Sequence, residues 1–405
     1  MSILSLQFGQ CGNQVCEMLY SLLEQDIQAK KTINQDFYAE STTKWFDINN
    51  KGHLRPRSIF IDTETKVVKP LKSLQIVAKA IGGSANNWAC GYAENSRLIK
   101  ADVLNLVRQE VEKCDRLTNF LTFYSLSGGT GSGVGSAVIE ELCTDYPNKI
   151  LVNCAILPYT RGEIATQSYN SLLNLAKLYP LVDSTILIEN ERLHHQCKYS
   201  IGLSEITYNH LNALIAQQIS AIFQPLNNTN TFELIKELTP HKNFKFLQIR
   251  TEPNKNLSDF ECAMPWVGLW NGLNKQNRFD ANFTNQIIAS TLIARGDGFT
   301  ECNLRKTSKD FVKWLSKDEN FKILSTNVRF LSYKRHLSQI LNGSNIVKPL
   351  NFILEDAWKL FTHAAYIHHY KKFGVDEHWF LESFQVLENW TRSLLIGPKM
   401  RKDNY

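Results

Sequence analysis

Gly128, Gly129, Gly131 and Gly133, interleaved with Thr130 and Ser132, are the residues of this chain whose types and spacing most plainly could do chemistry. Phe120 to Ser125 ahead of them is apolar and aromatic enough for a buried strand, and Val134, Val138 and Leu142 behind them recur at helical spacing. The glycines therefore occupy a strand-to-helix turn, where bare backbone N–H groups and the positive end of a helix can receive an anion. Thr130 and Ser132 can cap the helix or donate hydroxyls to phosphate oxygens. The turn lacks the Gly-Lys-Ser/Thr ending of a Walker loop, and no register matches the G-x-G-x-x-G dinucleotide fingerprint. Taken alone, such a turn could also serve only tight strand–helix packing.

A second group is acidic. Ser58 to Ile61 reads as a strand that delivers Asp62 and Glu64 at its C-terminal end, the side on which parallel sheets bind ligands. Two carboxylates beside a phosphate turn suit Mg²⁺, directly or through water, although an acidic turn without metal has the same letters.

These residues need a frame. Ser2 to Phe8 predicts a strand, followed by a loop over Gly9 to Gln14 and a helix through Met18, Leu19, Leu22 and Leu23. Residues 26–57 read as a polar surface excursion. Further helices are expected over 97–114, 132–145 and 163–178, with strands at 149–157 and 184–188. This alternation predicts a doubly wound parallel sheet with its loops converging on one rim. Beyond it come a helix over 204–223 capped by Ser204, a helix containing Glu233, and a strand at 244–249. A helix at 265–273, a strand at 287–294, a helix at 307–317 and strands near 323–330 and 345–347 follow. Two amphipathic helices, 350–371 and 376–394, are broken at Gly374 and close the pattern. The fold class is thus α/β, with a doubly wound parallel-sheet domain at 1–190, a mixed α+β intermediate domain at 191–347 and a C-terminal helical hairpin with a short basic tail at 348–405.

Composition narrows the classes. The chain has 405 residues, 43% hydrophobic and 21% charged, the profile of a soluble globular protein of two or three domains. No run of eighteen apolar residues exists, so no membrane-spanning helix is expected. The formal charge of +6 comes without a dense Lys/Arg stripe, which argues against nucleic acid as partner. Nine scattered cysteines and no export signal predict reduced thiols and a cytoplasmic setting.

The loops, taken in order, resemble the tubulin family. The matching segments are Gly9-Gln10-Cys11-Gly12-Asn13-Gln14, Asp62-x-Glu64, Asn86-Asn87-Trp88-Ala89, Gly128 to Gly133, Ser168-Tyr169-Asn170-Ser171 and Ile188-Glu189-Asn190-Glu191. The glycine run alone also fits the bacterial FtsZ relatives; the first and third segments and the closing helix pair favour the eukaryotic branch. Within it, Val111 to Asp115, Phe223-Gln224-Pro225, Val347 to Leu350, Ala365 to His368 and Lys372-Phe373-Gly374 are similar to the delta subfamily. Gln167 also resembles that subfamily, standing where alpha and beta chains carry a ribose-contacting Glu.

The resemblance implies binding of GTP or GDP with Mg²⁺. Gln10, Cys11 and Gln14 would line the nucleotide, and Asp62 and Glu64 would sit nearest the metal. Asn86 and the turn Gly128, Gly129, Thr130 and Gly131 would hold the phosphates, flanked by Ser125 and Glu163. Asn190 and Asn212 would read the guanine edge, and Tyr208 would stack on its face. Glu233 would orient water toward a neighbouring subunit's nucleotide, with Asn230 standing where alpha chains usually have Asp. Implied partners are other tubulins at longitudinal contacts and centriolar proteins, with no membrane and no nucleic acid. The implied setting is the cytoskeleton of a centriole or basal body. Other tubulin roles compatible with the same residues are a polymerising subunit with GTP turnover and a non-hydrolysing scaffold.

Three features depart from the family pattern. Residues 251–263 and 274–286 are short where side-to-side filament contacts arise, which puts ordinary lateral assembly in doubt, and 26–57 is compact. The tail sets Arg392, Lys399, Arg401 and Lys402 against Asp403, the opposite of the acidic tails of alpha and beta chains. The final Tyr405 lacks an acidic context.

Overall fold

The computed structural model describes residues 2–48, 52–65, 75–79, 82–114, 117–162, 164–227, 229–254, 264–277, 287–301, 304 and 321–396. They fall into two compact units. The first holds residues up to Glu17, Ala39–Glu191 and Ile346–Ile396; the second holds Met18–Tyr38 and Arg192–Asn345.

In the first unit, strands β1 (Ser2–Phe8), β4 (Ser58–Asp62), β5 (Gln75–Ala78), β6 (Leu117–Ser125), β7 (Ile150–Leu157) and β8 (Ser184–Glu189) form one sheet in the order β5-β4-β1-β6-β7-β8. All its pairings are parallel, with Phe8 beside Ile61 on one side and Tyr124 on the other. Every strand of β1, β4, β7 and β8 is an almost unbroken buried run, as a sheet covered on both faces requires. The chain adds strands outward from β1 to β5, then returns to β6 and builds the other way. The direction reverses between β1 and β6, the position at which open parallel sheets bind ligands beyond their strand ends.

Helices α1 (Gly9–Lys30), α2 (Gln35–Trp45), α3 (Ser96–Glu112), α4 (Gly135–Asp145) and α5 (Gln167–Leu178) follow in chain order. Apart from Lys177, α5 is buried throughout, because two C-terminal helices of the same unit, Val347–Thr362 and Glu377–Ile396, pack on it. Between those two lies the short helix Ile367–Lys371, and Gly374 at φ 82° marks the break before the last helix.

The second unit contains α6 (Asn190–His195) from its third residue on, α7 (Tyr208–Phe223), α8 (Thr231–Glu237) and α9 (Trp266–Asn277). Its strands β9 (Phe246–Glu252), β10 (Ile287–Gly296), β11 (Phe321–Thr326) and β12 (Arg335–Gly343) run in the order β11-β10-β12-β9. β10 and β11 are parallel; β12 is antiparallel to both β10 and β9. Trp266, Leu269, Trp270 and Leu273 of α9 bury their apolar face against Leu292, Ala294 and Leu337. The C-terminal helices are accordingly numbered α10 (Val347–Thr362), α11 (Ile367–Lys371) and α12 (Glu377–Ile396).

Several local expectations are corrected. Gly9 to Gln14 is the first turn and a half of α1, not a loop. The segment 26–57 contains the end of α1, all of α2 and a hairpin of β2 (Phe46–Ile48) with β3 (Leu54–Pro56), anchored by buried Phe37, Trp45 and Phe46. Residues 344–346 form a 3₁₀ turn instead of a strand, and β11 ends at Thr326. Thr207, not Ser204, caps α7: it is extended, and its N–H donates to His210 Nδ1 at 3.2 Å. The helix expected at 307–317 and the tail lie outside the described residues, as do 255–263 and 278–286.

Candidate nucleotide-binding site

The turn after β6 is built to expose backbone. Ser125 ends the strand, and its hydroxyl faces that of Ser127 at 2.8 Å. A π-helical turn, Thr130–Val134, then leads straight into α4. Ser132 donates both N–H (3.3 Å) and hydroxyl to the Gly128 carbonyl, which closes the turn at the helix start, where the first N–H groups lack intrahelical partners.

The glycines here have different reasons. A Cβ on Gly129 would lie 2.6 Å from both Asn87 N and Ser84 O, so the close approach of the 84–87 loop requires glycine. A Cβ on Gly128 would find only Asn86 Oδ1, at 4.0 Å. The space beside Gly128 is open, so its bare backbone is accessible to an anion. Gly9, at φ 71°, opens α1 with its Cβ position 3.0 Å from Gly131 N, so the turns leaving β1 and β6 touch.

Thr130 ties three strand ends together. Its hydroxyl lies 2.6 Å from Thr63 Oγ1, after β4, and 3.1 Å from Ser84 Oγ, after β5. Beside it Asp62 ends β4 almost fully buried, with Oδ2 accepting from Asn13 Nδ2 (3.3 Å) and Oδ1 from Glu64 N–H (3.2 Å). Burial pushes the Asp62 carboxyl up to about 6, against the lowering pull of the Glu64 and Thr63 N–H groups. Glu64 is exposed at the rim. Among the described residues there is no cluster of three or more metal-ligating side chains. Two carboxylates fit Mg²⁺, which keeps several waters and shares its coordination with substrate phosphates.

Asn86 is exposed on the same side, in the left-handed conformation at φ 51° that asparagine tolerates. Its carbonyl accepts from Asn170 Nδ2 (2.8 Å) and Thr166 Oγ1 (3.1 Å), which fixes the backbone and leaves the side chain at the rim. Gln10 and Gln14 stand one helical turn apart on α1, exposed and half-buried, with half-buried Cys11 beside Gln10. Burial pushes the Cys11 thiol up to about 12, so it is a neutral contact surface and not a nucleophile.

Asn190 follows β8 directly, half-buried at the same sheet edge. In the second unit, Tyr208 opens α7 and is 55% exposed, and Asn212, one turn on, is buried. Glu233 is exposed in the first turn of α8, whose cap Asn230 accepts from Phe232 N–H at 3.1 Å. Glu163 lies outside the described residues.

Comparison with known proteins meets this geometry. Residues 2–198 match the Tubulin/FtsZ family, GTPase domain. The chain is 30% identical to the tubulin delta chain of Homo sapiens, covering 96% of this chain and 98% of the human one. The same identity holds for the tubulin delta chain of Mus musculus, over 98% and 100% of the two chains. Against the tubulin beta-6 chain of Gossypium hirsutum it is 26%, over 94% and 91%. The chain belongs to the tubulin family.

As a tubulin it carries the family's GTPase domain, and its glycine turn, acidic pair and rim amides belong to that domain. Sequence reasoning gave no role to the residues that hold the rim in place, Asn13, Thr63, Ser84, Thr166 and Asn170, although Asn13 and Asn170 lie within the segments it matched to the family. A signal existed for Asn170, an amide in an otherwise core-facing stretch of α5; a buried amide there demands partners. Thr63 and Ser84 gave none, since small hydroxyl residues are ordinary in loops.

Proposed function

We propose that this tubulin binds GTP or GDP with Mg²⁺ and, like the delta subfamily it resembles, serves microtubule organisation at centrioles or basal bodies through nucleotide-dependent longitudinal association. The observation that carries the nucleotide reading is the open position beside Gly128, next to Thr130, whose hydroxyl meets the segments that follow β4 and β5. The N–H groups of Gly128 to Gly131 and the start of the helix would receive the phosphates. Asp62 and Glu64 would hold Mg²⁺, which when bound neutralises phosphate charge. Asn86 and Ser125 would donate at the phosphate edge. Gln10, Cys11 and Gln14 would line the wall from α1.

Asn190 and Asn212 carry amides, which both donate and accept as a guanine edge requires, and Tyr208 offers an aromatic face. Glu233, exposed and acidic, would orient water toward the nucleotide of the next subunit in a filament. The partners are other tubulins along the filament and centriolar proteins, in the cytoskeleton.

Denaturing the purified protein and identifying the released small molecule tests the first step. A guanine nucleotide, retained in Mg²⁺ and released faster after chelation, is expected; protein free of nucleotide that also fails to take up added GTP overturns the reading. A tagged copy in a ciliated cell is expected at basal bodies; even decoration along cytoplasmic microtubules would replace that setting with ordinary lattice incorporation.

A further inference from the structure

The phosphate edge of the first unit is joined to its C-terminal helices by two buried amides. Asn170 on α5 is fully buried and uses its whole hydrogen-bonding capacity. Its Nδ2 donates to the carbonyls of Asn86 (2.8 Å) and Ser127 (2.7 Å). Its Oδ1 accepts from the Trp88 N–H (2.8 Å) and the Tyr370 hydroxyl (2.7 Å). Two donors and two lone pairs are all an amide has, and the opposite flip would set its oxygen against two carbonyls.

The second amide, Asn87, accepts at Oδ1 from the Ala89 (2.8 Å) and Cys90 (3.2 Å) N–H groups. Its Nδ2 donates to the His369 carbonyl at 3.2 Å. Both links end in α11. Tyr370 is fully buried, its ring set edge-on against Tyr169 (5.5 Å) and Phe380 (5.3 Å), so its hydroxyl is placed by the packing of the C-terminal helices. Its neighbours His368 and His369 are exposed.

We infer that Asn170 is a positioning residue for phosphate recognition, and that with Tyr370 it couples the Asn86 and Ser127 loops to the exposed surface of α11. The inference rests on the guanine-nucleotide reading of the site. Asn170 has no spare donor or acceptor. Any displacement of the Asn86 or Ser127 carbonyl toward or away from a bound phosphate is therefore passed to the Tyr370 hydroxyl or breaks a bond. Coupling of this kind is reciprocal: whatever fixes α11 also fixes the phosphate loops.

Tyr370→Phe removes one hydroxyl from the chain of contacts, and Asn170→Ala removes the whole junction. GTP, GDP and guanosine are titrated against each folded protein, and hydrogen exchange over residues 363–371 is followed with and without GDP. For Tyr370→Phe, affinity for GTP and GDP is expected to fall about threefold with guanosine unchanged, the loss of one neutral hydrogen bond acting at a distance. Asn170→Ala extends this to about tenfold. GDP is expected to protect residues 363–371 in the wild type and to lose that effect in both variants.

Equal weakening of all three ligands assigns these residues a structural role and overturns the inference, as does GDP-dependent protection that persists in Tyr370→Phe. Wild-type protein that binds none of the three removes the reading of the site itself. Wild-type binding that Tyr370→Phe leaves untouched sinks the coupling alone.

Discussion

The hydroxyls of Thr63 and Thr130 face each other at 2.6 Å, joining the residue after β4 to the residue that opens the π-helical turn after β6. β1 lies between these two strands in the sheet, so the contact bridges over it and fixes the acidic pair relative to the glycine turn. Ser84 Oγ, 3.1 Å from the same Thr130 oxygen, brings in the segment that follows β5. One threonine thus sets the spacing between the elements proposed to hold phosphate and metal.

Thr130→Val keeps the shape and removes the hydroxyl, leaving Thr63 and Ser84 without their shared partner. Two intramolecular hydrogen bonds of about 1 kcal/mol each predict a loss of up to about 2 kcal/mol of stability, and GTP affinity is expected to fall as the loops lose their shared partner. Thr130→Ser is expected to retain most of the affinity. Equilibrium titration with a fluorescent guanine nucleotide checks both; equal affinity for wild type and Thr130→Val would remove Thr130 from the site.

Gly128 and Gly129 are adjacent yet should respond oppositely to alanine. At Gly129 the added methyl would overlap Asn87 and Ser84 backbone atoms at 2.6 Å, so Gly129→Ala displaces the 84–87 loop and lowers stability by about 1–3 kcal/mol. At Gly128 the methyl meets nothing closer than 4.0 Å, so Gly128→Ala should melt like the wild type. It should nonetheless bind GTP roughly tenfold more weakly, because the methyl enters the open space where a phosphate would meet bare backbone. Thermal melts paired with nucleotide titration separate the two effects.

The glycine turn and the parallel sheet were legible in the sequence because both write themselves in local letters: a glycine run between an apolar strand and a helical repeat, and continuous apolar strands. Other elements were hidden by what they bury. β12 is RHLSQILNG, whose Ser338, Gln339 and Asn342 are inside, so no apolar alternation marks it. Their NH₂ groups donate at long range, that of Gln339 to Ser290 Oγ (3.0 Å) and that of Asn342 to the Leu238 (2.8 Å) and Phe244 (2.6 Å) carbonyls. The start of α1 reads as a loop because Gly9 and Gly12 are poor helix formers. Gly12 is required by a tertiary contact: a Cβ there would sit 2.3 Å from the Phe123 carbonyl oxygen. Packing overrode propensity at both places.

His336 on β12 predicts acid sensitivity of the second unit. It is fully buried beside the Phe330 ring (4.7 Å) and the Tyr333 ring (5.6 Å), and its Nδ1 lies 3.2 Å from Ser338 Oγ. Burial, and then the Arg295 charge, push the imidazole down to about 3, whereas the unfolded chain protonates it near 6.5. Below pH 6.5 the unfolded state therefore gains a proton that the folded state refuses. Stability is fully present above that pH and declines toward pH 3, by up to about 1.4 kcal/mol per unit. Urea midpoints at pH 7, 6 and 5 should fall less for His336→Gln than for the wild type; parallel declines would show that His336 carries none of the slope.

Glu233 offers the sharpest division between binding and turnover. Its side chain is exposed on α8, and the helix is capped independently by Asn230, so Glu233→Ala should change stability by less than about 0.5 kcal/mol. As the proposed water-orienting group acts on a neighbouring subunit, the variant should bind GTP like the wild type and show the same negligible hydrolysis as dilute monomer. Only in assembled protein should phosphate release drop, by a factor on the order of a hundred for loss of a positioned carboxylate. Mixing Glu233→Ala with wild type at varied ratios refines the test. If the glutamate serves the adjacent site, turnover should scale with the fraction of wild-type neighbours. Turnover by assembled Glu233→Ala equal to that of the wild type would leave Glu233 as a solvated helix residue.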